Sequence, residues 1–117
     1  MTLFESSGYF NIGIGFGSLS ASKGRHNVGI GRSAGQGLIG NRNNAIGDYP
    51  LLESSGSYND AMGYFALSLS NGDYNVGIGF NALYENKGDQ NVGIGTNVLQ
   101  GNEGSANTAV GSHALYG

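Results

Sequence analysis

The chain contains no cysteine and no tryptophan, a single proline (Pro50), and charged residues at only 11% of its 117 positions. Without cysteine there is neither a disulfide framework nor a thiolate metal site. So few charges exclude a self-repelling disordered chain. No apolar run approaches the roughly 20 residues of a membrane-spanning helix, so no membrane insertion is expected. Residues 1–10 lack a basic and an apolar region, so no signal peptide is expected there. The basic residues are Lys23, Arg25, Arg32, Arg42 and Lys87, too few and too scattered for a nucleic-acid surface. They crowd toward the start: residues 1–47 carry +3 and residues 48–117 carry −6.

What the chain does have is glycine, 23 residues of it, in a fixed rhythm. The period is sixteen, not the three of collagen. Asn11, Asn27, Asn43, Asn59, Asn75, Asn91 and Asn107 form one column. Four residues after each stands a glycine, from Gly15 to Gly111, and another glycine column runs from Gly8 to Gly104. An Ile/Val/Met column (Ile14 to Val110) and a Leu column (Leu3 to Leu115) complete the unit. Such a spacing marks a stacked repeat. The chain reads as a single repeat domain, 1–117. It has a partial coil 1–10, coils 11–26, 27–42, 43–58, 59–74, 75–90 and 91–106, and a partial coil 107–117. One column slips: Gly35 replaces the leucine, and Leu38 or Ile39 is expected to refill the space.

Within a unit, N-V-G-I-G alternates with period two, and its β-branched residues between turn residues predict a short strand. Glycine at this density costs about 1 kcal/mol per position in a helix, which excludes one. The pair after the second glycine, as in Phe16-Gly17, makes a corner. A second strand is expected around the Ala-Leu pair, as in Ala82-Leu83, with a return turn at the third glycine. The unit is therefore one coil of an all-β parallel β-solenoid, rising about 4.8 Å per coil and on the order of 34 Å over seven. The Asn column is expected to stack as a structural ladder of amides. The Val, Ile and Leu columns are expected to face inward. The Gly/Ala column (Gly13, Gly29, Ala45, Ala61, Gly77, Gly93, Ala109) is expected to lie bare on the other face, where a second backbone could approach.

The strings NVGIGFNAL (75–83), NVGIGTNVL (91–99) and NTAVGSHAL (107–115) resemble the head repeats of trimeric autotransporter adhesins. They resemble still more the N-x-A-I-G-x-x-A-L repeats of bacteriophage tail fibres. The resemblance implies a left-handed parallel β-roll in a homotrimer, on a virion (tail fibre) or an extracellular cell surface. There it would serve as a rigid spacer or touch a host-surface glycan or protein receptor, next to neighbouring fibre or virion segments. The sixteen-residue unit is somewhat longer than in the adhesin heads.

No enzyme is expected, and no cofactor. His26 and His113 lie in different columns, so neither is expected to stack with a partner or to bind metal. The eight carboxylates scatter over polar columns. The Gly-Ile-Gly strings lack the helix and lysine of a phosphate loop. Aromatic residues are the remaining candidates. Phe16, Tyr64, Phe65 and Phe80 fall at the first corner with Tyr49, while Tyr58, Tyr74, Tyr84 and Tyr116 fall on the polar side. Tyr49, Tyr64, Phe65 and Tyr84 are the candidate glycan contacts, since such rings stack on sugars and tyrosines add a hydroxyl. A structural role, covering neighbouring coils or the seam between chains, is the alternative. A filament grown by end-to-end stacking is a further one.

Overall fold

The computed structural model describes residues 8–115, so Leu3, Tyr116 and most of the first partial coil lie outside them. Seven three-residue strands follow the asparagines: β1 (Ile12–Ile14), β2 (Val28–Ile30), β3 (Asn44–Ile46), β4 (Asp60–Met62), β5 (Val76–Ile78), β6 (Val92–Ile94) and β7 (Thr108–Val110). They pair in parallel, in sequence order, into one sheet. Each residue faces its counterpart one coil on: Ile12 lies beside Val28, and Ile14 beside Ile30. The result is an all-β parallel β-solenoid of about six turns. Its longest dimension is 36 Å, close to the expected rise.

The rest of each coil is turn rather than strand. The expected second strand at the Ala-Leu pair is absent: Ala82 and Leu83 lie in turns. In the first complete coil three turns overlap, closed by Ser18 N to Gly15 O (3.3 Å), Ser20 N to Gly17 O (3.1 Å) and Ser22 N to Leu19 O (3.2 Å). The third residue of each has positive φ: 73° at Gly17, 54° at Leu19 and 57° at Ala21. The leucine column repeats this conformation, with φ of 52–55° at Leu51, Leu67, Leu83 and Leu99. A β-branched residue is strongly disfavoured there, which accounts for a column of leucine and never of Val or Ile. The left-handed conformation costs roughly 1–2 kcal/mol, and burying a leucine returns about 1.5–3 kcal/mol. Pro50 fits at the turn's closing position because the bond it forgoes is a long one, 3.4 Å at the equivalent Ala34.

The strand's facing is the reverse of expectation. The Gly/Ala column points into the coil, where Ala45 and Ala61 are buried, and the Val and Ile columns point out. The interior has no room for more. A Cβ on Gly29 would lie 2.7 Å from the Ala34 carbonyl oxygen and 3.0 Å from Leu19 Cγ of the coil before. The bare stripe thus meets its own chain's leucines, not a second backbone. The core is the leucine column with the small residues around it, Ala34, Ala66, Val98 and Ala109 among them.

Leu38, not Ile39, refills the gap left at Gly35: Leu38 is fully buried and Ile39 is exposed. A side chain at position 35 would start 2.7 Å from Leu19 Cδ2 and 3.7 Å from Leu38 Cδ2. Gly35→Leu alone should therefore overpack the coil and cost about 1–3 kcal/mol in urea unfolding. Combining it with Leu38→Ser, which restores the pattern of the other coils, should recover most of that loss. Strict additivity of the two changes would show that positions 35 and 38 do not share one space.

Candidate functional site

The outward strand columns make an apolar face along the whole solenoid. Ile12, Ile14, Ile30, Ile46, Met62, Ile94 and Val110 are all exposed. The columns two residues outside each strand carry further rings, Phe10, Tyr58 and Tyr74 before it and Phe16, Tyr64 and Phe80 after it. These six are exposed as well. Large apolar side chains that the described residues leave in water are thus concentrated in the strand columns and the columns flanking them. Two polar residues interrupt the Val column: Asn44 and Asp60 stand where the neighbouring coils have Val28 and Val76. Asn44 Nδ2 donates to Asp60 Oδ1 at 2.7 Å. They border a shallow depression of about 250 Å³ lined also by Ile46, Ala61, Met62 and Ile78.

The four candidate glycan contacts come together at the corner after β3 to β5. Tyr49 stacks on Phe65 (5.0 Å, 10°), Tyr64 stands edge-on to both, and Tyr84 stands edge-on to Phe65 at 6.1 Å. Phe80 stacks on Tyr64 at 5.2 Å, and the Arg32 guanidinium lies over Tyr49 at 5.2 Å. Arg32 also pairs with Asp48 at 3.2 Å on the exposed rim. The stacks follow from the period: rings in one column of successive coils meet face to face. Tyr58 and Tyr74 do so at 4.7 Å. His26, expected to have no stacking partner, lies over Phe10 at 5.0 Å for the same reason. Such contacts add about 0.5–1.5 kcal/mol each.

The Asn column is a ladder, but its rungs are not amide to amide. Each Oδ1 accepts from the backbone N–H of the next asparagine, as Asn59 Oδ1 does from Asn75 at 2.9 Å. Each Nδ2 from Asn11 to Asn91 closes its own coil on a glycine carbonyl thirteen residues on, as Asn59 does on Gly72 at 2.9 Å. Only Asn43 also reaches the side chain before it, Asn27 Oδ1, at 3.1 Å. Asn107 Oδ1 belongs to the last described coil, while its N–H donates to Asn91 Oδ1. Two further ladders were not anticipated from sequence. Asn41, Ser57, Asp73, Asp89 and Ser105 each accept from the backbone of the preceding coil. Inside, Ser54 and Ser70 accept from Ser70 N and Asn86 N. Their signal was a run of short side chains with an acceptor oxygen, from Asn41 to Ser105 in one column and from Ser54 to Asn102 in the other.

Among the described residues no three His, Asp or Glu gather into a group that could hold a metal. His113 sits by Ser112 Oγ (2.9 Å) and Asn97 Nδ2 (3.4 Å) on the surface. Comparison with protein-family models, with curated proteins and with solved structures gives no match. The resemblance to adhesin heads and tail fibres therefore rests on the repeat strings alone.

Proposed function

We propose that this chain is a rigid structural and adhesive segment of a homotrimeric fibre on a virion or cell surface, with the aliphatic sheet face turned toward the shared axis. The observation that carries it is that face. Seven strands present Val, Ile and Met outward along a molecule 36 Å long and 20 Å across. A side of that size, on the order of 700 Å², approaches the roughly 800 Å² per partner of a standard interface. An exposed apolar stripe that runs the length of the molecule supports an association site. The partner is a second and third copy, because a repeat at 4.8 Å spacing complements another of the same spacing. The count of three follows the resemblance.

Light scattering after size exclusion, over a hundredfold range of concentration, tests this. The expected mass is three times the 12.0 kDa of the chain. Ile30→Asp with Ile94→Asp should give a monomer whose thermal unfolding is little changed, since both side chains leave the core untouched. A wild-type monomer at every concentration would sink the reading. Growth without limit would favour the end-to-end filament instead.

A second reading, a carbohydrate-binding module, is supported by the contiguous patch of Tyr49, Tyr64, Phe65 and Tyr84 beside the Arg32–Asp48 pair. Its rings spend much of their faces on one another, so a sugar would meet edges, hydroxyls and the ion pair. No retention on an array of host-surface polysaccharides would remove it.

A further inference from the structure

We infer that Asn44 and Asp60 form an inter-chain polar lock that fixes the axial register of the assembled chains; this rests on the self-association proposed above. The Val column is apolar in four of its seven coils, and Thr108 at its end is the only polar member besides Asn44 and Asp60. A smooth stripe of equal steps has no preferred register, because sliding one chain by a coil restores nearly every contact. The pair at β3 and β4 breaks that equivalence near the middle of the stripe.

The valences of the two side chains show how. Asn44 has two amide hydrogens, and one is given to Asp60 Oδ1 of its own chain. The second hydrogen and Asp60 Oδ2 have no partner among the described residues. When the face closes against a sister chain, both leave water, and a carboxylate left without partners in an apolar seam is costly. Around a closed symmetric assembly each Asn44 can give its free hydrogen to the neighbouring chain's Asp60 Oδ2. Every carboxylate then keeps two amide donors. The depression bounded by Ala61, Met62 and Ile78 leaves space at this level for the neighbouring side chains. Shifting one chain by a coil sets one of the two carboxylates level with the neighbour's Val76, two coils from that neighbour's Asn44, and leaves it only the donor of its own chain. A single buried polar pair setting register at some cost in stability is an established device of helical assemblies; here the same logic acts between sheet faces.

The test uses the full chain with one spin label on Glu103→Cys, an exposed position off the face. The chain has no other cysteine. The parent should give one narrow inter-chain distance. Asn44→Val, which removes the donors and leaves the carboxylate, should weaken association at least about thirtyfold. Asn44→Val with Asp60→Val should associate as tightly as the parent or more so. Its distances should broaden toward longer values, as chains offset axially by one or more coil rises of roughly 4.8 Å are populated. A double variant that keeps the single narrow distance, or an Asn44→Val chain that associates as tightly as the parent, overturns the lock while leaving self-association standing. A parent that stays monomeric overturns both.

Discussion

Gly56→Ala is expected to be among the most damaging single-methyl changes in this molecule. Gly56 has φ of 125°, a region nearly closed to any residue with a Cβ. An added Cβ would overlap the carbonyl oxygen of Gly72 in the next coil, and would lie 2.8 Å from its carbon and 3.1 Å from Asn59 Nδ2. The first two are backbone atoms, and Asn59 Nδ2 is held by its own bond to Gly72 O. The strained backbone costs about 1–3 kcal/mol and the overlap about as much again, against a total stability of roughly 5–15 kcal/mol for a domain. Gly101→Ala is the control. It also has positive φ, 70°, but nothing lies within 4 Å of its would-be Cβ. Its column already holds Ala21, Glu53, Leu69 and Glu85 in the same conformation. Urea unfolding should show Gly56→Ala several kcal/mol below Gly101→Ala, and equal midpoints would refute the account of close coil-to-coil approach.

Asn59→Ala is expected to cost about as much, by a different route. The substitution leaves the Asn75 N–H and the Gly72 carbonyl without the partners they have at 2.9 Å each. Asn59 and Asn75 are both buried, so water cannot replace those bonds freely. An orphaned buried group costs about 1–3 kcal/mol, and there are two. Asn59→Asp keeps the acceptor for Asn75 but turns a carboxylate oxygen toward the Gly72 carbonyl, and should be no better. Ser57→Ala removes a rung of the outer ladder, the bond from Asn41 N at 3.0 Å. That rung is solvent-accessible, and its loss should cost a few tenths of a kcal/mol. Equal losses at Ser57 and Asn59 would mean that burial does not set the value of a rung.

The coil length, the strand position, the glycine corners and the refilling of Gly35 by a neighbour were all legible in the sequence. They depend on period, and period is visible. The facing of the strand was not read correctly, because alternation gives two sides without saying which is inside. The usual guide, β-branched residues inward, fails in a coil so narrow that Leu19 already reaches the strand's inner face. A better guide was present. The column of Gly29 and Ala45 never admits anything larger than alanine, whereas the Val column accepts Asn44 and Asp60. A size limit marks an interior; a tolerated charge marks an exterior. The missing second strand has a related cause. Ala-Leu reads as extended by propensity, yet overlapping turns demand a left-handed residue at each leucine, a choice set by the closure of the coil. The aromatic stacks were legible as columns. Which atoms the Asn rungs would join was not, because an amide can bond its own kind or the backbone beside it.

The strand register, residue to residue sixteen apart without a slip from β1 to β7, bears on how such a gene can change. Duplication or loss of one sixteen-codon block would lengthen or shorten the rod by a single step and leave every column in place. An insertion of fifteen or seventeen residues within a coil would put its side chains on the wrong sides or bulge out as a loop. Length is therefore quantised in this architecture, and the position of Asn44 and Asp60 along the rod would shift only by whole blocks.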